Sequence, residues 1–519
     1  MEAAQTQKVA NVVNEFVLER AAKHPNETAL ITAADGTKTT RADLAESTGR
    51  AAAALVHLGV KPEQRVMLIL TDTPTFLAFF WGAIWIGAVP VAASTMLTSD
   101  DYAFLLRDSR ATTVIVSEVF RDVITAALVD QPHVDRAVID GDEASPPFET
   151  VATVLTGAGT TPDVFPATED DVAFWLYTSG TTGFPKGAKR RHADLPFLTD
   201  VYARRILDMR ETDVVLSVPK LFFAYGLGNS GFLPAGTGAA TVLHPGRPVP
   251  EEIAELVRRY KVTLFFGVPT FYAQLLSSEV PGDAFSTVRI GISAGEPLPE
   301  EIYNRFLERF GVELLDGIGT TELGHIFISQ RLGEHRPGAT GFPVDGFDIE
   351  VRDPEGNIAP RGEAGALWVG GESVTVGYWN RTARNRAALH GRFMKTGDTY
   401  VHNEDGTLTY LGRDDDMLKV GGIWVSPSEV EACIIEMEDV LMVAVVGAPD
   451  DEGMIKPRAF VIPEPGAATD QQPERVKEHV RSRLAPFKYP RWVDIVDELP
   501  LTSTGKVKRY LLRQREHQT

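Results

Sequence analysis

Tyr177-Thr178-Ser179-Gly180-Thr181-Thr182-Gly183-Phe184-Pro185-Lys186-Gly187 follows directly on the apolar run Val172 to Leu176, so it leaves the end of a buried strand. Three glycines let backbone amides converge, the hydroxyls of Thr178, Ser179, Thr181 and Thr182 can donate to anionic oxygens, and Lys186 adds a positive charge. A surface turn of small polar residues seldom combines this length, hydroxyl density and closing lysine. The stretch reads as a phosphate cradle. It is not a Walker loop, because Pro185-Lys186-Gly187 breaks the required Gly-Lys-Ser/Thr. A second glycine-rich stretch, Gly226-Leu227-Gly228-Asn229-Ser230-Gly231, matches the dinucleotide fingerprint literally, with Glu251 near the acidic position. Pro234 and Gly236 are expected to interrupt the helix that must follow, so no nicotinamide cofactor is expected.

Outward from the cradle, helical and strand patterns alternate. Thr40-Arg41-Ala42-Asp43 has the spacing of a capping box ahead of Leu44, Ala51, Leu55 and Leu58. Residues 65–70, 112–116, 262–267 and 288–293 are short apolar runs of the kind found in strands buried on both faces. The pattern predicts an α/β fold: a large N-terminal domain of mostly parallel sheets wrapped by helices. From about residue 340 short strands predict a small β-rich unit. After the acidic triplet Asp414-Asp415-Asp416 a small α+β segment follows, with helices near 427–437 and 474–484 and a strand at 441–446. The expected organisation is a domain over 1–413, a hinge at 414–416 and a small mobile C-terminal domain over 417–519.

Composition narrows the function classes. At 519 residues, 44% of them hydrophobic, the chain can build more than one core. A formal net charge of -20 repels polyanions, so no nucleic acid and no membrane partner is expected. Cys433, the one cysteine, excludes a disulfide framework and reads as a small core residue. The start of the chain has no signal-peptide pattern, and the uncharged stretch 76–93 reads as a helix running through Gly87 into a strand. A cytoplasmic protein is expected, with its oligomeric state left open.

The cradle, together with Ser293-Ala294-Gly295-Glu296, Gly319-Thr320-Thr321-Glu322, Thr396-Gly397-Asp398, Gly412-Arg413-Asp414-Asp415 and Pro500-Leu501-Thr502-Ser503-Thr504-Gly505-Lys506, resembles the acyl-adenylate-forming superfamily over nearly the whole chain. The resemblance implies ATP, Mg2+ and coenzyme A, with a small carboxylic acid as the other substrate. Thr178 to Gly183 and Lys186 would hold phosphates, and Thr321 the α-phosphate. Glu322 would bind the magnesium ion, as a hard carboxylate for a hard cation. Ala294, Gly295, Glu296, Asp316, Gly317, Ile318, Gly319 and Thr320 would bind the nucleotide, with Gly295 and Glu296 against the adenine; Asp398 and Arg413 would take the ribose. Lys506 would sit between attacking carboxylate and α-phosphate, offsetting the repulsion of two anions. Asp415 matches a hinge, and Lys419, Gly421 and Gly422 would line the coenzyme A tunnel.

Lys220-Leu221-Phe222-Phe223-Ala224-Tyr225-Gly226, with His325-Ile326 after Glu322, looks like the benzoate-CoA ligase branch. The resemblance implies an acyl pocket lined by Phe223, Ala224, Tyr225, Gly319, Gly324, His325 and Ile326, whose walls suit a flat ring. Two positions depart from the pattern. Ile318 stands where much of the superfamily has an aromatic residue, and Leu323-Gly324 where benzoate ligases carry bulkier ones. A side chain at 324 is expected to project near the acyl group. Benzoate or a substituted benzoate is the expected acid. The alternatives are a coenzyme A ligase for a larger cyclic acid, a stand-alone enzyme loading a carrier protein, and a non-catalytic nucleotide binder.

Overall fold

The computed structural model describes residues 10–180, 183–336, 338–413, 416–420, 423–450, 454–501 and 507–514; of Ser179, Gly180, Gly183, Phe184, Lys419, Ile423, Trp424, Tyr510 and Gln514 it describes the backbone alone. The chain divides into two compact units. One comprises Met1–Phe266, Gly319–Ile326 and Glu372–Ala387; the other comprises Gly267–Ile318, Phe327–Gly371 and Ala388–Thr519.

The first unit carries a seven-stranded sheet in the order Phe148–Thr150, Arg136–Asp140, Thr113–Ser117, Arg65–Ile69, Val89–Ala92, Val172–Gly180 and Gly183–Arg191. All neighbours are parallel except the last pair, which forms a hairpin. Val66, Met67, Leu68 and Ile69 are all at 0% exposure, as their unbroken apolar run requires of a strand covered on both faces. The helix Arg41–His57 begins with the expected capping box: Asp43 N donates to Thr40 Oγ1 at 3.1 Å and Thr40 N to Asp43 Oδ2 at 3.0 Å. It packs closely on the helix Pro74–Trp85, because a Cβ at Gly82 would meet the Ala52 nitrogen at 2.9 Å. The stretch 76–93 is therefore a buried helix turning at Gly87, φ +73°, into the strand Val89–Ala92. Among the described residues no helix is long and apolar enough to cross a membrane.

In the same unit residues 264–266, Val214–Ser217, Ala240–Leu243 and Thr28–Thr32 run parallel, with Lys38–Thr40 antiparallel at the edge. The second unit pairs residues 291–294 in parallel with residues 314–317. It also holds the antiparallel strands Phe347–Arg352, Ala364–Gly371, Phe393–His402 and Leu408–Arg413, the β-rich segment expected from sequence. Its last part has a three-stranded sheet, Val440–Pro449, Ile455–Pro463 and Trp492–Ile495, under the helices Pro427–Ile435 and Gln472–Arg483. Two hydrophobic clusters lie wholly within 418–512, one around Val430, Ile434 and Val480, the other around Ala444, Phe460 and Leu512. Cys433 is buried in the first, and burial pushes its thiol up to about 11, as befits an inert core residue.

Candidate active site

The phosphate stretch is a β-hairpin. Tyr177 pairs with Gly187 and Thr178 with Lys186, while Thr181 and Thr182 lie outside the described residues. Beside it Ala188 bridges Tyr378, and the Trp379 amide donates to the Gly187 carbonyl at 2.8 Å. The Lys186 ammonium lies 4.8 Å from the centre of the Tyr378 ring, a cation–π distance. The phenol of Tyr378 donates to Glu322 Oε1 at 2.7 Å. One tyrosine thus joins the cradle's cation to the carboxylate expected to bind metal. Asn385 fixes that tyrosine, accepting from its amide at 2.7 Å and donating to its carbonyl at 3.0 Å.

Behind Glu322 sits Arg190, 1% exposed. Its guanidinium donates to the Glu322 carbonyl at 2.6 Å, to Asp194 Oδ2 at 2.5 Å and to the Ser373 carbonyl. The Ser373 hydroxyl in turn donates to the Leu323 carbonyl at 2.9 Å, and the Thr375 amide to the Glu322 carbonyl at 2.8 Å. One buried ion pair therefore ties the Glu322 turn to the segment leading to Tyr378. Removing one partner of such a pair typically costs about 3–5 kcal/mol. Arg190 lies in the strand Gly183–Arg191 and Asp194 opens the helix Asp194–Leu198, so no helical spacing marked the pair in the sequence. Tyr378 and Asn385 carried no signal.

The expected acyl residues adjoin one helical run. Ala224–Leu227 continues through a π-helical turn, Gly228–Phe232, into Leu233–Thr237. Pro234 and Gly236 do not interrupt it, contrary to expectation, because the π turn places Pro234 in the first turn of the next segment, where no amide is required. Gly226 and Gly228 of the false fingerprint are small for packing reasons: a Cβ would meet the Lys220 carbonyl oxygen at 2.0 Å and His325 Cδ2 at 2.2 Å respectively. His325 is 3% exposed, with its ring centroid 5.0 Å from Tyr202, 5.7 Å from Tyr225 and 6.3 Å from Phe232. Phe223 stacks edgewise on Phe222 at 4.4 Å, and Ile326 is 1% exposed. Asp72, buried, accepts the Leu221 amide at 3.1 Å and so pins the turn that opens this segment. Gly319 packs its α-carbon face onto the His325 backbone, where a Cβ would lie 2.7 Å from the carbonyl oxygen.

Gly324 corrects one expectation. Its φ is +86°, and a Cβ there would meet Leu198 Cδ1 at 2.7 Å and Arg190 Cζ at 3.4 Å. A side chain at 324 thus drives into the support of Glu322 and not toward an acyl group. The glycine answers a backbone need.

The second unit gathers the remaining expected residues. Ser293 pairs with Asp316 and Ala294 with Gly317, next to Gly295 at φ +99°, with Glu296 following and Ile318 in the same strand. Asp316 is buried, its Oδ1 lacks a hydrogen-bond partner among the described residues, and burial raises its carboxyl well above the usual range. Asp398 is 3% exposed and faces Arg413 across the ladder, accepting from Nη1 at 3.0 Å. Thr320 and Thr321 belong to the first unit, where Leu323 N donates to Thr320 Oγ1 at 3.3 Å. Asp414, Asp415, Gly421, Gly422 and Lys506 lie outside the described residues. Leu501 and Val507, on either side of 502–506, pair in an antiparallel bridge.

The hairpin with Lys186 and the buried Glu322 turn in the first unit, and the strand-borne Asp398–Arg413 pair in the second, fall where the resemblance to adenylate-forming enzymes expects them in sequence. The chain belongs to the AMP-binding enzyme family, whose model matches residues 17–379, while the model of that family's C-terminal domain matches 429–506. It is 42% identical over 483 residues to the 4-hydroxybenzoate–CoA/benzoate–CoA ligase of Rhodopseudomonas palustris, covering 91% of this chain and 88% of that one. It is also 42% identical over 475 residues to the benzoate–CoA ligase of Thauera aromatica, covering 91% and 90%. The crystal structure of the anthranilate CoA ligase AuaEII in complex with anthranoyl-AMP superposes with a TM-score of 0.95 at 34% identity, over 100% of this chain and 99% of that one.

Proposed function

We propose that this chain is an AMP-forming aryl-CoA ligase acting on benzoate or a substituted benzoate. The observation that carries the reading is the meeting of Lys186, Tyr378 and Glu322 beside the hairpin, in a chain 42% identical to benzoate-CoA ligases. In the first half-reaction a carboxylate oxygen of the acid attacks the α-phosphorus of ATP, and pyrophosphate leaves with the electron pair of the broken P–O bond. In the second, the sulfur of coenzyme A attacks the acyl carbon, its proton is lost, and AMP leaves.

Glu322 fits a magnesium ion. Its carboxylate offers two oxygens, and a neutral phenol on one of them leaves the full negative charge for a hard cation. That ion, when bound, supplies charge neutralisation on the phosphates. Arg190 orients the Glu322 turn from behind. Thr178, Ser179, Gly180, Thr181, Thr182, Gly183 and Lys186 hold phosphate oxygens, and Thr321 the α-phosphate. Asp398 accepts from ribose hydroxyls, with Arg413 beside it. Ala294, Gly295, Glu296, Asp316, Gly317, Ile318, Gly319 and Thr320 border the base. Lys506 offsets the repulsion between carboxylate and α-phosphate. The acid's ring lies among Phe223, Ala224, Tyr225, His325 and Ile326, with the Gly319 and Gly324 backbone at the rim.

A domain over 1–413, a hinge at 414–416 around Asp415 and a domain over 417–519 complete the reading. The private hydrophobic clusters of 418–512 support it. Rotation of the small domain would exchange Lys506 for Lys419, Gly421 and Gly422, which line the path of the thiol. The test is AMP release from a panel of ring and chain acids, with and without coenzyme A. A ring acid whose turnover requires coenzyme A is the expected result; turnover of chain acids alone, or none that responds to coenzyme A, overturns the reading.

A further inference from the structure

His325 is reached by a chain of hydrogen bonds whose direction can be worked out from one end. The Pro219 carbonyl can only accept, so the Ser217 hydroxyl, 2.9 Å away, spends its hydrogen there. Ser217 Oγ can then only accept from Asn229, which must present its NH2, at 3.2 Å. That orientation turns Asn229 Oδ1 toward His325 Nε2, at 3.0 Å. Nε2 must therefore carry the hydrogen. Nδ1 is left as a bare lone pair, and it has no hydrogen-bond partner among the described residues.

Among the described residues no donor hydrogen-bonds Nδ1. Tyr202, Tyr225 and Phe232 surround the ring, and Gly228 lies against its Cδ2 edge. The Tyr225 carbonyl also faces the imidazole and works against the effect of burial, but it forms no hydrogen bond with Nδ1 and accepts the Gly228 amide. Burial pushes the imidazole down to about 3, so it is neutral near pH 7. A buried acceptor with no donor is costly, and a ligand that brings a donor recovers what is lost.

We infer that His325, locked by the Ser217–Asn229 relay, is a specificity-determining acceptor that selects ring acids bearing a hydroxyl or amino donor over ring acids without one. The inference rests on the reading that this aromatic cage holds the acid's ring. Asn229 and Ser217 are positioning residues, acting through the tautomer of His325.

Two measurements test it. The first compares catalytic efficiencies for hydroxy- and aminobenzoates with those for fluoro- and methylbenzoates substituted at the same ring position, in the wild type and in His325→Phe. At one ring position or more the donor-bearing acid should lead its donorless counterpart by about tenfold or more, and His325→Phe should abolish that lead. Ring acids consumed without donor preference at any position overturn the inference while leaving the proposed function intact. No ring acid consumed at all overturns the proposed function itself. The second needs no variant to fold: nitrogen NMR of wild-type protein carrying isotope-labelled histidine. It should show one buried histidine with Nε2 protonated and Nδ1 bare, its Nδ1 signal shifting when hydroxybenzoate binds and not when fluorobenzoate does. The opposite tautomer, or equal shifts with both acids, overturns the assignment.

Discussion

Two buried carboxylates invite comparison. Glu322 in the first unit and Asp398 in the second are 7% and 3% exposed, yet their partners differ in kind. Glu322 takes a neutral phenol from Tyr378. Asp398 takes a guanidinium from Arg413. A phenol satisfies one oxygen and leaves the negative charge unspent, which suits a site built for a cation. A guanidinium cancels the charge and leaves an acceptor, which suits neutral hydroxyls. Burial alone does not assign a carboxylate its task; the charge of its partner does.

If this contrast holds, the two residues should fail differently. Glu322→Gln keeps shape and hydrogen bonding but removes the charge, so adenylate formation should fall by about a thousandfold at saturating ATP and magnesium. Initial rates that recover fully at high magnesium would reduce Glu322 to an affinity contact. Lys506→Ala should slow adenylate formation by about a hundredfold and spare thioester formation from a supplied acyl-adenylate; equal losses in both half-reactions would end the division of labour. Asp398→Asn should act mainly on the KM for ATP, by about tenfold, since an amide still accepts one hydroxyl. A kcat effect as large as that of Glu322→Gln would erase the distinction between the two carboxylates.

The smallest effect separates the neutral buried groups of the first unit from its charged ones. Burial pushes His192 down to about 4 and His325 to about 3. Unfolded histidines titrate near ~6.5, so below that pH the unfolded chain binds protons that the folded one refuses. Stability from these two groups is complete above ~6.5 and is lost as pH falls through the folded values. Asp72, pushed up to about 6 by burial, works the other way, losing its contribution as pH rises through about 6. Between about 4 and about 6 these three groups by themselves contribute a difference of roughly one proton, or ~1.4 kcal/mol per pH unit, with stability rising as pH rises; the raised carboxyls of Asp140 and Asp316 oppose that slope, and the lowered His244, His335 and His402 add to it. Urea unfolding across this range measures the slope, and His192→Gln should flatten it. A slope the substitution leaves untouched contradicts the burial argument.

Much of the scaffold was legible because its signals are local. The Thr40–Asp43 box, the apolar runs and the Gly87 turn all act within a few residues. The supports of the site were not legible, because they act across the chain. Tyr378 reaches Glu322 over 56 residues and Asn229 reaches His325 over 96. Asn229 stood inside a stretch dismissed as a false fingerprint, and the π turn that carries it past Pro234 has no sequence mark. Gly324 misled for a related reason. A glycine beside a pocket residue invites a reading in terms of space, whereas its positive φ shows that the backbone required it.

The route through an acyl-adenylate can be followed atom by atom. With benzoate, or the acid the panel favours, labelled with heavy oxygen at both carboxylate positions, attack on the α-phosphorus carries one labelled oxygen into AMP when the thioester forms. Mass spectrometry of the products should therefore find AMP bearing a single heavy oxygen, an acyl-CoA retaining the other, and unlabelled pyrophosphate. Label in the pyrophosphate, or ADP and labelled orthophosphate in place of AMP, would show that the acid attacks a different phosphorus.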